Sequence, residues 1–160
     1  MPIDIVGGSW GDNQTYINMI KEQCKKSQYA NFVGHVSFKQ KLEYYSNAKC
    51  VIMPIQEKDF KTINFSNWEW NEPFGLVGLE ANACGTPFIV SPNCGWNETM
   101  IHGFNGYHAN TDEEFMYYIK KIDDDICKEN CRKLAEQFDY KIMGENYLNI
   151  FKEIIGGNEW

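Results

Sequence analysis

Two carboxylates stand out in the stretch NEPFGLVGLEANACGTPFIVS, residues 71–91: Glu72, just ahead of a Pro-Phe-Gly turn, and Glu80, eight positions later. From Leu76 to Cys84 the other residues are mostly small and apolar, the composition of a buried helix. An ionised Glu80 in such company must be given hydrogen bonds or be neutralised. An acceptor-only group is best satisfied by paired donors, and a carboxylate accepting from two adjacent hydroxyls of a ribose or hexose gains charge-assisted hydrogen bonds. Pro73-Phe74-Gly75 leads into the helix, so the amides near Gly75 and Leu76 are expected to point outward and to receive hydroxyls, carboxylates or phosphates. Glu80 lies about one and a half turns farther on, and the two acids can line one side of a single elongated ligand. Two other uses of Glu80 stay open: accepting from the amides of a neighbouring loop, or pairing with a lysine.

The segments around this stretch predict the elements that position it. IDIVGGS, ANFVGHV, KCVIMPI and GTPFIVSP are short apolar runs closed by glycine or proline, the pattern of buried strands. Between them DNQTYINMIKEQCKKS has helical spacing with Asp12 or Asn13 as cap, and SFKQKLEYYSNA reads as a helix capped by Ser37. A long polar and aromatic loop runs from Gln56 to the acidic stretch. GFNGYHA predicts a turn with a short strand, and TDEEFMYYIKKI, DDICKENCRKLAEQF and DYKIMGENYLNIFKEII predict helices, with a frayed end beyond. Strands that are continuously apolar and alternate with helices predict an α/β fold, a doubly wound parallel sheet with a helical C-terminal tail. Ligands of such sheets bind at the loops beyond the carboxyl ends of the strands. Here these include Gly7-Gly8-Ser9, Gly34-His35-Val36, the segment before Phe74, and residues 91–97.

With 160 residues the chain suits one domain, residues 1–160, and no repeat or linker divides it. A net charge of −7 with no block of like charges argues against nucleic acid or an anionic membrane as partner. No apolar run approaches about 18 residues, so no transmembrane segment is expected. MPIDIVGGSWGDN has no basic stretch leading into an apolar core, so no signal peptide is expected either. Six scattered cysteines without a C-x-x-C pair then read as reduced thiols of a cytoplasmic protein. Cys127 and Cys131 can share a helix face, but no further ligand is placed to complete a metal site.

EPFGLVGLEANACGTPFIV, with seven residues between its two glutamates, resembles the donor-binding signature of the retaining nucleotide-sugar glycosyltransferases of the GT-B class, group 1 or family 4 type. That family includes glycogen synthases, sucrose synthases and bacterial mannosyl- and glucosyltransferases. GWNETMIHGFNGY is similar to its Gly-x-x-Glu and Asn-Gly elements, and IDIVGG, NFVGHV and LEYYSNAKCVIMP are similar in order and spacing to its preceding strands. The resemblance implies the Rossmann-like C-terminal half of a GT-B enzyme binding a UDP- or GDP-linked sugar. It implies that Glu72 is the catalytic-site carboxylate holding hydroxyls of the transferred sugar, with the amides of Phe74, Gly75 and Leu76 on the same sugar or the phosphate. Glu80 would hold the ribose hydroxyls. Gly34, His35 and Val36 would lie against the base, and Gly7 and Gly8 would let the chain pass close to the nucleotide. It further implies that the first strand and helix of the donor half, with their diphosphate-clamping Arg and Lys, and the N-terminal acceptor domain lie outside this chain. No cofactor and no metal is implied, and no Asp-x-Asp motif is present.

In such enzymes the leaving group is a nucleoside diphosphate and the transition state has oxocarbenium character, so phosphate charge stabilisation and positioning of the acceptor hydroxyl carry the reaction. No general base is assigned: His35, His102 and His108 each invite the role, but a loop histidine is more often a solvated or packed residue. Trp68 and Trp70 can stack on a ligand or anchor their loop. Trp96 lies near the expected cleft, and Glu98 can be a ligand or a cap on a short helix. Two rival readings stand beside the transferase: a non-catalytic module that binds a nucleotide sugar or a partner protein, and a nucleotide-sugar epimerase of related fold, for which the motif offers no acid and base pair.

Overall fold

The computed structural model describes residues 1–8, 14–54, 73–92 and 95–156. The expected caps Asp12 and Asn13, the loop from Gln56 with Trp68 and Trp70, the carboxylate Glu72 and the frayed residues 157–160 lie outside the described residues. The chain forms two compact units, Met1–Glu43 and Tyr44–Trp160.

In the first unit, β1 (Ile3–Val6) pairs in parallel with β2 (Ala30–Gly34) across α1 (Gln14–Lys25). Ile3 stands opposite Ala30 and Ile5 opposite Phe32, and a register shift then sets Val6 opposite Gly34. Parallel neighbours need a crossover, which α1 supplies. Next comes α2 (Phe38–Asn47), within which the division between the units falls. Its start follows the expected Ser37 cap: Gln40 N–H donates to Ser37 Oγ at 3.3 Å while Gln40 Oε1 accepts from the Ser37 N–H at 3.0 Å. This reciprocal capping box satisfies two amides that the helix itself cannot.

The second unit is built on a parallel three-stranded sheet in the order β3 (Val51–Met53), β4 (Phe88–Val90), β5 (Gly106–His108). The short strand expected in GFNGYHA is thus the third member of this ladder. β4 is buried on both faces, which is why its sequence is a continuous apolar run. Phe88 and Val90 pack with Trp96 and Met100 on one side, while Ile89 joins Tyr107, Phe115, Ile119, Ile122 and Cys131 on the other. Burying each such side chain contributes about 1.5–3 kcal/mol.

The helix α3 (Leu76–Ala83) precedes β4, and α4 (Asp112–Asp125), α5 (Lys128–Glu136) and α6 (Tyr140–Ile155) follow β5. Thr111 caps α4 by accepting from Glu114 N–H at 3.2 Å, and Asp139 caps α6 by accepting from Lys141 N–H at 2.8 Å. The expected helical stretch through Asp124, Asp125 and Ile126 divides differently. α4 runs on to Asp125, Ile126 turns extended (φ −109°, ψ 117°), and α5 starts only at Lys128. Ile126 is drawn into the same apolar cluster as Ile122, so burial rather than helical spacing sets the break. Among the described residues no helix is long and apolar enough to cross a membrane.

Candidate functional site

In the first unit, four of the sequence-predicted residues come together where β1 and β2 end. Gly7 N–H donates to Gly34 C=O at 2.9 Å, joining the two strand ends. His35 lies flat enough on Gly8 that a Cβ there would overlap its ring. Gly7, Gly8, Gly34 and His35 line an open groove of about 400 Å³, whose far wall is formed by the α1 side chains Gln14, Ile17 and Lys21. The groove is at the carboxyl ends of parallel strands, the place that the α/β rule assigns to ligands. Val36 is half-buried and is not among the groove's lining residues.

In the second unit, α3 presents Phe74, Gly75, Leu76 and Glu80. Gly75 is the N-cap in the left-handed conformation (φ 86°, ψ 45°), with no side-chain cap hydrogen bond among the described residues. The conformation strongly favours glycine, and so does the packing: a Cβ on Gly75 would collide with the Trp96 ring. Trp96 is wholly buried against Phe88, Val90 and Met100, so it shapes the start of α3 from below. Leu76 is 63% exposed and Phe74 touches Phe138 edge-on at 6.0 Å.

Glu80 is half-buried, and its Oε2 accepts a hydrogen bond from Tyr45 Oη at 2.9 Å. Tyr45 was not foreseen as its partner. Burial, and then the acceptor Glu80, hold the Tyr45 phenol well above the usual tyrosine range, so it remains a donor. Thr86 Oγ1 donates to the Tyr45 carbonyl at 2.6 Å, which fixes α2 against the α3–β4 connection. The tyrosine bond orients the Glu80 carboxylate.

A buried amide network supports α3 from behind. Asn82, fully buried, donates through Nδ2 to the carbonyls of Thr86 at 3.0 Å and Asn105 at 3.3 Å. Asn105 Nδ2 donates to Asn82 Oδ1 at 2.5 Å and to the Thr99 carbonyl at 3.2 Å, and its Oδ1 accepts from Ile101 N–H at 2.7 Å. Asn105 belongs to the Asn-Gly element of the resemblance, without a role assigned to it, and Asn82 was not singled out by the sequence reading. The available signal was Asn82 inside an apolar helix, the same anomaly as Glu80. Glu98 is exposed after the short 3₁₀ turn Gly95–Asn97; His102 precedes β5 and His108 is its last residue, away from α3 in sequence. His102 Nδ1 accepts from the His108 N–H at 3.1 Å, and the two rings lie parallel at 6.1 Å.

The family model described as "Glycosyl transferases group 1" matches residues 2–141. The chain belongs to that family. It is 33% identical over 85 residues to a probable sucrose-phosphate synthase of Thermosipho melanesiensis, covering 51% of this chain and 20% of that one. It is 26% identical over 156 residues to an uncharacterized glycosyltransferase of Methanocaldococcus jannaschii, covering 92% of this chain and 36% of that one. The crystal structure of Anabaena HepE in complex with UDP and glucose superposes with a TM-score of 0.72 at 20% identity, covering 96% of this chain and 41% of that one. The chain thus spans about a fifth to two fifths of the length of these three proteins. The fold is the α/β architecture with parallel strands and a helical C-terminal portion found in GT-B glycosyltransferases, as the resemblance implied.

Proposed function

We propose that residues 1–160 act as one donor-binding domain of a retaining glycosyltransferase, holding a UDP- or GDP-linked hexose for transfer to an acceptor hydroxyl. The observation that carries this reading is α3. In a chain of this family, a helix opened by left-handed Gly75 bears a half-buried glutamate one and a half turns on. Glu80, oriented by Tyr45, holds the ribose diol. The amides at Phe74, Gly75 and Leu76 receive the sugar or the diphosphate, where the positive end of the helix favours negative charge. Glu72 holds the hydroxyls of the hexose. The glycine-ended strands of the first unit take the nucleoside in their groove. The complexes of Anabaena HepE with UDP and glucose support a nucleotide-sugar ligand. The acceptor comes from a complementary N-terminal domain.

Isothermal titration of the chain with UDP, UDP-glucose, GDP and GDP-mannose tests the reading. One nucleotide series is expected to bind, and Glu72→Ala is expected to weaken the sugar-bearing member more than its bare nucleoside diphosphate. Equal losses for both members of the pair would remove Glu72 from the sugar. Absence of binding by all four ligands would overturn the donor-site reading.

A further inference from the structure

The groove of the first unit contains two side chains that the donor-site reading leaves unused. Lys21 of α1 and Phe32 of β2 both line it, and the Lys21 ammonium sits over the Phe32 ring, 5.3 Å from its centroid. We propose that Lys21 reads the nucleotide base, favouring keto bases (uracil, guanine) over amino bases (adenine, cytosine). This rests on the nucleotide-sugar reading and adds to it the residue that sets the class of base.

The volume suits a nucleoside: about 400 Å³ lies toward the small end of the range for small-molecule sites. At Gly7 no atom would meet even an added Cβ within 4 Å, so a flat ring can approach the backbone closely there. The chemistry of the walls is one-sided. Although the chain carries a net charge of −7, no carboxylate lines the groove among the described residues, and Lys21 is a lysine that does. A lysine on the surface of a helix usually spends its time in water. The ring of Phe32 attracts the ammonium and keeps it at the groove, so little ordering is needed when a ligand arrives.

An ammonium group only donates. Its partner on a base must therefore be an acceptor, and the bases divide on this point. Guanine presents O6 and N7, and uracil presents O4, as thymine does. Adenine and cytosine present an amino group at the position of O6 and O4, whose hydrogens would be turned against the ammonium; adenine shares N7 with guanine, so the discrimination rests on that O6/O4 position.

The experiment compares the affinities of UDP, GDP, ADP and CDP for the wild-type chain, Lys21→Met and Lys21→Arg, with thermal unfolding of each variant as a check on folding. The wild type is expected to bind UDP or GDP roughly tenfold or more tighter than ADP and CDP, the usual size of discrimination by a base-edge contact. Lys21→Met is expected to lose that preference by weakening UDP and GDP while leaving ADP and CDP unchanged, and Lys21→Arg to retain most of it. A uniform loss across the four nucleotides would place Lys21 on the phosphates and overturn the proposal. Unchanged affinities in Lys21→Met would overturn it as well while leaving the donor reading standing. Failure of the wild type to bind any of the four would remove the donor reading and the proposal together.

Discussion

The bond between Tyr45 and Glu80 allows the structural and the ligand-binding roles of the acid to be separated in one experiment. Tyr45 Oη donates to Glu80 Oε2 at 2.9 Å, at a half-buried position between α2 and α3. A hydrogen bond to a charged group contributes about 1.5–3 kcal/mol, and partial exposure to water puts this one at the low end, about 1.5 kcal/mol. Tyr45→Phe removes the donor and keeps the ring. In a chain of this size each kcal/mol shifts Tm by roughly 2–4 °C, so the variant is expected to melt about 3–6 °C lower. Glu80→Gln keeps the shape and an acceptor oxygen but loses the charge, and a stability cost below that of Tyr45→Phe is expected. The double variant should show a coupling of about 1 kcal/mol, since the two groups act on each other. Binding separates the roles. If Glu80 holds the ribose diol, Glu80→Gln lowers affinity for the preferred nucleoside diphosphate about tenfold, the effect of weakening a charge-assisted pair. The wild type should discriminate against the 2′-deoxy nucleotide, and Glu80→Gln should not. A Glu80→Gln chain that melts like Tyr45→Phe, yet binds both nucleotides as the wild type does, would refute the ligand role and leave Glu80 as the structural partner of Tyr45.

Two further outcomes are expected. Gly75→Ala places a Cβ at φ 86° and against the buried Trp96 ring, so conformational strain and overpacking together should cost about 2–4 kcal/mol. Gly103→Ala, at φ 80° with open space around it, should cost only the strain, about 1–2 kcal/mol; equal losses of Tm would show that Trp96 yields. His108 is held below its ordinary pKa by burial and then by the neighbouring His102, and its Nδ1 has no hydrogen-bond partner among the described residues. The unfolded chain therefore takes up this proton at higher pH than the folded one, so the stabilising contribution of neutral His108 is fully present above about pH 6.5. It is lost as pH falls toward the folded value. The urea midpoint of the wild type is expected to drop between pH 7.5 and 5.5 by more than that of His108→Gln, and identical drops would exclude the effect.

The residues make clear where local rules suffice. β4 is a continuous run of Phe88, Ile89 and Val90 because both its faces are covered, and such a run reads as a central parallel strand before any neighbour is known. Ser37 followed by Gln40 announces the start of α2, since a capping box closes within four residues. Glu80 likewise announces itself, because a charge in an apolar helix demands donors wherever they come from. What those donors are is another matter. Tyr45 is thirty-five residues away from Glu80, and Asn82 finds Asn105 across twenty-three. Lys21 meets the ring of Phe32 only because α1 lies along β2. Periodicity fixes which way a side chain faces on its own element, but its partner is chosen by how elements pack. The types and order of the strands and helices, and the anomaly of the two acids, were therefore written in the sequence. The tyrosine on Glu80, the tryptophan beneath Gly75 and the lysine at the groove were decided only when the elements came together.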